Sequence, residues 1–192
     1  SEGDISTISF HATKLFHTAE GGALITNDDE TAHKISYLRN FGHKGQEAFW
    51  GLGINGKNSE LHAAMGLCIL PKVKKLIKSR KLQSELYDSI LLDKQTGIRT
   101  PKKNNKTEYN FSYYPVIFES EKTLLKVRNK LNKHNIFPRR YFYPSLEDLN
   151  YVKNSKLPVS KSISKRVLCL PLYFGLEEKN IREICELIKD NI

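Results

Sequence analysis

The sequence predicts an α/β protein built in two parts. Short segments rich in β-branched residues, typical of strands, alternate with longer segments whose apolar residues recur every three or four positions, typical of helices. The chain has 192 residues, of which 39% are apolar, enough to form a packed core. A polar stretch at 93–107, rich in lysine and asparagine, favours a boundary. We therefore expect a partial large domain over 1–92 and a small C-terminal α/β domain over 93–192.

The first part is predicted to open with two strands joined by a glycine turn. Residues 5–11 form a weakly alternating strand that delivers Lys14 into a loop, and Gly21-Gly22 reverse the backbone into a second strand at 23–26. Three helices follow. The first is capped by Asp28 or Asp29 and ended by Phe41-Gly42, and the second is opened by Asn58 or Ser59 and carries an apolar stripe of Leu61, Ala64, Met65, Cys68 and Ile69. The third runs from 72 to about 92 after Pro71.

The second part is predicted to contain two strands and two helices. The strands are expected at 108–118, where Pro115 favours an edge position, and at 166–172. Ser120 caps a helix that runs to about His134. Glu177-Glu178 favour the start of a last helix, because negative charge is stabilising at a helix N-terminus.

The formal net charge of +10 by itself is typical of a nucleic-acid-binding protein. The lysines are spread over helices and loops, however, and neither a zinc-finger spacing nor an aromatic–basic pattern accompanies them. We expect a solvated basic surface, with steering of an anionic ligand as a second role and no nucleic-acid partner.

The three cysteines are Cys68, Cys169 and Cys185, and they form no C-x-x-C pair. Each lies in an apolar periodic segment without clustered histidines. We expect small core residues and no metal site.

The chain opens on polar and acidic residues, and no apolar run approaches the ~20 residues that cross a bilayer. We therefore expect a cytoplasmic protein without a membrane partner.

Lys14 is the candidate catalytic residue. It lies between the apolar strand at 5–11 and the glycine turn at Gly21-Gly22. A lysine amine attacks an aldehyde when part of its population is neutral, which a partly desolvated site with a nearby cation favours. A lysine in a polar loop is otherwise an ordinary surface residue, so the assignment depends on the surrounding motif.

Three blocks of the sequence resemble one family. The segment at 9–14 (Ser-Phe-His-Ala-Thr-Lys) with 20–28 (Glu-Gly-Gly-Ala-Leu-Ile-Thr-Asn-Asp) is similar to the cofactor-lysine motif of the DegT/DnrJ/StrS sugar aminotransferases. Residues 53–64 resemble that family's Gly-Tyr-Asn-Tyr-Arg-Met-Ser-Glu-Leu-Gln-Ala-Ala block, and 157–172 resemble its closing Leu-Pro…Arg-Val-Leu-Ser-Leu-Pro-Leu block. The three blocks follow the family's order.

The resemblance implies the aspartate-aminotransferase-like fold (fold type I) and pyridoxal 5'-phosphate as cofactor. It implies that Lys14 condenses with the cofactor aldehyde and later moves the proton, and that the Ser9 hydroxyl binds the cofactor phosphate. Asn55 matches an asparagine that reaches the neighbouring subunit's cofactor, which implies a homodimer with shared sites. Purely structural roles for Ser9 and Asn55 stay open, because Ser9 ends a strand and Asn55-Gly56 is itself a turn signal.

The resemblance also implies a substrate side. His11 is expected near the reacting centre, although a structural histidine is an alternative. Arg140 and Tyr143 lie in a segment like the one before the family's substrate-side Tyr-Pro-Pro. Adjacent strand residues face opposite ways, so at most one of Arg139 and Arg140 aims at a ligand.

The implied activity is amino transfer, with glutamate or a similar donor, to a nucleotide-linked keto deoxysugar, most like amination at C4 of dTDP-4-keto-6-deoxyglucose for a surface polysaccharide. Lys57 and Asn58 depart from the family's arginine and methionine or leucine. The resemblance matches only the C-terminal half of such an enzyme, so we expect this chain alone to be inactive. The alternative is a catalytically silent remnant that keeps the fold and dimerises or binds a sugar nucleotide.

Overall fold

The computed structural model describes residues 3–94, 96–102, 104, 106–153 and 156–192. The chain divides into two compact units, Ser1–Lys74 and Lys75–Ile192. The predicted boundary between 92 and 93 stays a prediction.

The first unit contains a β-hairpin and two helices. Strand β1 (Ser6–Ser9) pairs antiparallel with β2 (Gly22–Ile25), with Ser9 opposite Gly22. Helix α1 (Asp29–Leu38) and helix α2 (Glu60–Ile69) follow, and a 3₁₀ turn at Leu70–Lys72 precedes α3 (Val73–Leu91), which contains the point of division. The two predicted strands are confirmed; β1 is shorter than expected, and β2 begins and ends one residue earlier than expected.

The helix starts in the first unit are set by side-chain caps. Asp28 accepts a hydrogen bond from the Thr31 N–H, and Ser59 accepts one from the His62 N–H, so each satisfies a donor that the first turn leaves unpaired. The hydrogen bond from Thr31 lowers the pKa of Asp28 below its ordinary value. The predicted end of α1 at Phe41-Gly42 is wrong, because the chain leaves the helix after Leu38 and Asn40 forms a bridge with Asn55.

The described residues of the second unit form a two-stranded antiparallel sheet and three further α-helices. Strand β3 (Tyr114–Ile117) pairs antiparallel with β4 (Val167–Leu170). Backbone bridges extend this sheet on both sides, Arg99 with Ile117 and Arg139 with Cys169. The helices are α4 (Glu121–Lys133), α5 (Pro158–Arg166) and α6 (Glu178–Lys189).

The core of the second unit lies among this sheet, α4, α6 and the C-terminal part of α3. Helix α4 packs against α6, and the two contribute buried positions at helical spacing. The fully buried apolar side chains include Tyr87, Leu91, Val116, Leu124, Val127, Leu131, Leu168 and Ile188. The Tyr87 ring stacks on that of Tyr114 at 4.7 Å, and its hydroxyl donates to the Pro171 carbonyl at 3.1 Å.

Several expectations for the second unit need correction. The strand predicted at 108–118 is formed only at Tyr114–Ile117, because its partner β4 offers four residues for pairing. Helix α5 was not predicted at all; it starts on Pro158 and has no side-chain cap. The predicted Ser120 cap and the last helix after Glu177 are confirmed.

The apolar stripe predicted for α2 is not the face that packs. Leu61 is 84% exposed, and Met65 and Cys68 are exposed as well. Gly66, on another face, is buried instead. Cys68 is therefore not a core residue as predicted, whereas Cys185 is buried and Cys169 half-buried. Among the described residues, no helix is long and apolar enough to span a bilayer.

Candidate functional site

Lys14 lies in the loop that joins β1 to β2, defined here by residues 10–21 and called the lysine loop. The Phe10 N–H donates to the Gly21 carbonyl and the Thr18 N–H donates to the Phe10 carbonyl, each at 2.9 Å, so the loop is closed at its base. The Lys14 N–H donates to the His11 carbonyl at 2.9 Å, which forms a turn at the lysine itself.

The lysine loop packs on α2 through a glycine. A Cβ on Gly66 would lie 2.8 Å from Cγ2 of Thr18 and 3.6 Å from Cζ of Phe16, so only a glycine admits the loop at this distance. Thr18 is buried, and its hydroxyl donates to the Glu20 carbonyl at 2.6 Å. The Thr18 methyl group thus packs on the helix, and a hydrogen bond within the loop holds the Thr18 side chain in place.

A second close approach holds the end of the loop. Gly21 has φ of +150°, and a Cβ there would meet Oγ1 of Thr18 at 2.5 Å and Oδ1 of Asn58 at 2.9 Å. Asn58 therefore lies against the glycine turn. Neither this contact nor the Thr18–Gly66 contact was predicted, because a glycine's lack of a side chain leaves no hydrophobic periodicity.

The structure brings Ser9, His11 and Lys14 together at one end of β1. The Ser9 hydroxyl accepts from the His11 N–H at 3.4 Å. Lys14 is exposed, so the desolvation expected around its amine is not supplied by the described residues. What the chain does supply is a fixed backbone turn that carries the amine.

His11 is tied into the lysine loop by both ring nitrogens. The Thr13 N–H donates to Nδ1 at 3.3 Å, so Nδ1 is the acceptor and the neutral ring carries its proton on Nε2. Nε2 faces Oε1 of Glu20 at 3.5 Å. The imidazole thus connects the two arms of the loop.

Asn55 lies on a separate loop, residues 39–57, called here the asparagine loop. The Phe41 N–H donates to the Ile54 carbonyl and the Gly56 N–H donates to the Arg39 carbonyl, at 3.0 and 2.8 Å. Gly53 is required for this path, because a Cβ there would lie 2.2 Å from the Gly42 nitrogen. The Asn55 side chain accepts a hydrogen bond from Lys57, at 2.8 Å.

Arg140 and Tyr143 lie in the second unit and contact each other. The guanidinium carbon of Arg140 lies 3.5 Å from the centroid of the Tyr143 ring. Its Nη2 donates to Oε1 of Glu121 at 2.6 Å and to the Lys165 carbonyl at 3.1 Å. The Arg140 side chain is 10% exposed, whereas the neighbouring Arg139 is exposed. Arg140 thus donates two hydrogen bonds to groups within the protein, and the sequence did not predict these contacts.

The side chains of the first unit fit the cofactor that the sequence resemblance implies. Pyridoxal phosphate requires an amine for its aldehyde and hydrogen-bond donors for its phosphate. Lys14 carries an amine, Ser9 a hydroxyl and Asn55 an amide, which are groups of these kinds. The described residues contain no group of three or more histidine, cysteine or acidic side chains that could hold a metal ion.

Comparison with known proteins shows which enzymes this chain is similar to. A dTDP-4-amino-4,6-dideoxy-D-glucose transaminase of Shigella dysenteriae is 37% identical over 98% of this chain and 53% of its own length. A protein of the same name from Escherichia coli is 34% identical over 88% of this chain and 47% of its own length. Among solved structures, DesI with its TDP-sugar product superposes with a TM-score of 0.87 at 30% identity, over 98% of this chain and 50% of that one.

The chain spans about half the length of these relatives. Its two units have the mixed helix and strand architecture of the sugar aminotransferases, the partial fold type I structure that the sequence predicted. A family model matches residues 1–189, and pyridoxal phosphate is the cofactor of that family. The chain belongs to the DegT/DnrJ/EryC1/StrS aminotransferase family.

Proposed function

We propose that this chain supplies the lysine-bearing half of a transaminase that acts on a nucleotide-linked keto deoxysugar. The observation that carries the proposal is the 37% identity to a dTDP-4-amino-4,6-dideoxy-D-glucose transaminase along nearly the whole chain, including the lysine loop. We propose dTDP-4-keto-6-deoxyglucose as the acceptor, glutamate as the donor and a product used for surface polysaccharide. The cytoplasm is the compartment we propose for the reaction.

Lys14 is the residue to which we assign the chemistry. Bound pyridoxal phosphate supplies an electron sink for the amino carbon. Lys14 Nζ holds the cofactor before the donor arrives and then, once free, moves the proton between the two carbons that exchange the amino group. The turn at Lys14 and the packing of Thr18 on Gly66 support this role, because proton transfer requires a fixed position.

Ser9 and Asn55 are assigned to the cofactor phosphate, and His11 to the neighbourhood of the reacting centre. Both nitrogens of the His11 ring already have neighbours in the lysine loop, Thr13 and Glu20. We therefore propose that His11 acts mainly by holding the loop and touches cofactor or substrate with its ring face.

Tyr143 and Arg140 are assigned to the substrate side. Tyr143 is 47% exposed, so its ring is accessible to a ligand. Arg140 is mostly buried beneath that ring and is paired with Glu121. This geometry supports a substrate contact through Tyr143, with Arg140 fixing the ring.

We propose a homodimer with two shared sites, in which Asn55 of one subunit reaches the cofactor of the other. Mixing a Lys14→Ala chain with an Asn55→Ala chain of the complete enzyme tests this arrangement. Each heterodimer should regain one intact site, whereas recovery of no activity would contradict a shared site.

A silent remnant is the second candidate, favoured by the exposure of Lys14 and of the α2 face that carries Leu61. The 192-residue chain and the complete enzyme should therefore be compared. We expect borohydride with pyridoxal phosphate to label Lys14 in the complete enzyme, and Lys14→Ala to abolish turnover without unfolding. We expect the chain alone to show no turnover. Label on Lys34 or Lys57 instead of Lys14 would contradict the assignment.

A further inference from the structure

The Lys57 ammonium lies between two groups of the asparagine loop. Its Nζ donates to Oδ1 of Asn55 at 2.8 Å and lies 4.1 Å from the centroid of the Phe41 ring. The ring face attracts a cation, and the amide oxygen accepts one of its three N–H bonds. The lysine side chain is therefore held at both contacts.

This contact fixes which end of the Asn55 amide faces Lys57. An ammonium has donors only, so the amide atom that it binds must be the oxygen. The amide nitrogen, with its two N–H bonds, is consequently turned to the other side. Asn55 then presents donors to whatever lies there, and such an arrangement suits an anion and disfavours a donor group.

The backbone leaves this choice to the side chains. Asn55 is held by its bridge to Asn40, and the Gly56 N–H is bonded to the Arg39 carbonyl. These bonds fix the position of the Asn55 Cα but allow either orientation of the side-chain amide. Lys57 is the group in the described loop that distinguishes the two amide orientations.

We propose that Lys57 is a positioning residue that turns the Asn55 amide N–H groups toward a phosphate. This inference rests on the proposed function, which assigns Asn55 to the cofactor phosphate. The positive charge of Lys57 also polarises the amide, which strengthens its N–H donors toward an anionic acceptor. Lys57→Arg keeps donors and charge, whereas Lys57→Met keeps the length of the side chain and removes both.

The test compares two probes that differ only in the phosphate, pyridoxal phosphate and pyridoxal, titrated into the complete enzyme by absorbance. Lys57→Met should weaken pyridoxal phosphate binding about tenfold, the size of one charge-assisted hydrogen bond, and leave pyridoxal binding unchanged. Lys57→Arg should restore most of the affinity. Lys44→Met, an exposed lysine on the same loop, is the matched control and should change neither.

A double-mutant cycle separates positioning from direct contact. In an Asn55→Ala background, Lys57→Met should have little further effect on the ratio of the two affinities, because Lys57 acts through Asn55. An undiminished effect in that background, or an equal loss of pyridoxal binding, overturns the positioning role while leaving the proposed function intact. Failure of Lys14 to take up the borohydride label overturns the proposed function itself.

Discussion

Gly66→Ala should disturb the lysine loop, although it places a better helix former in α2. The new Cβ would lie 2.8 Å from Thr18 Cγ2, against an ordinary carbon–carbon separation of about 3.5–4.0 Å. Thr18 cannot rotate away freely, because it is 4% exposed and its hydroxyl is bonded to the Glu20 carbonyl. Overpacking of this kind costs about 1–3 kcal/mol, and the gain in helix propensity is about 0.8–1.0 kcal/mol. The net loss of unfolding free energy is therefore about 0–2 kcal/mol.

The informative quantity is the coupling free energy between Thr18 and Gly66. Thr18→Ser removes Cγ2 and keeps the hydroxyl that binds Glu20. In that background Gly66→Ala should become stabilising by up to about 1 kcal/mol, because only the propensity term is left. Urea denaturation of the four proteins gives the coupling as a double-mutant cycle, with about 1–3 kcal/mol expected.

Thr7→Ser is the matched control, since Thr7 is exposed on β1 and loses the same methyl group. It should couple to Gly66→Ala by less than about 0.5 kcal/mol. Equal coupling for Thr7 and Thr18, or none for Thr18, would refute the reasoning. The same Gly66→Ala enzyme should also take up less cofactor label at Lys14, because the displaced loop carries the amine.

Three other changes probe the remaining contacts. Gly53→Ala should destabilise the first unit by more than about 2 kcal/mol in urea, because its Cβ would meet backbone atoms, whereas Gly51→Ala, with nothing within 4 Å, should be neutral. Glu121→Gln should cost about 1–2 kcal/mol, since it leaves the mostly buried guanidinium of Arg140 without a counter-charge; an unchanged urea midpoint would argue against that pair. The pKa of the Asp28 carboxyl is lowered in the folded protein, so the ionised carboxyl stabilises the fold above its ordinary pKa, and this stabilisation is lost as the pH falls through the lowered pKa. In Asp28→Asn, the thermal midpoint should therefore depend less on pH below about 4.

The features that the sequence predicted well are those decided within a few residues. Asp28, Ser59 and Ser120 each cap a helix through a hydrogen bond to an N–H three residues later, so the pattern that reveals the cap also forms it. Helix α5 has no such bond, and its start on Pro158 after Leu157 gives a weaker signal. The lysine loop was recognised by its motif, and its position between two strands follows from the glycine turn.

Burial was predicted less well than secondary structure, because it depends on what lies opposite each face. The stripe through Leu61 and Met65 has the period of a buried helix face, yet the described chain buries α2 at Gly66. A glycine has no hydrophobic signal of its own. The close approach of Thr18 is a contact between distant parts of the sequence that periodicity cannot detect.

For the two adjacent arginines, local sequence predicts part of the geometry and not the rest. Strand geometry requires Arg139 and Arg140 to face opposite ways, but it does not say which one faces the protein. That choice is made by Glu121 in the first turn of α4 and by the Lys165 carbonyl in α5, which together receive the Arg140 guanidinium. Because α5 was not predicted, one of the two acceptors was missing from the sequence argument. Arg139, whose backbone pairs with Cys169, is exposed instead.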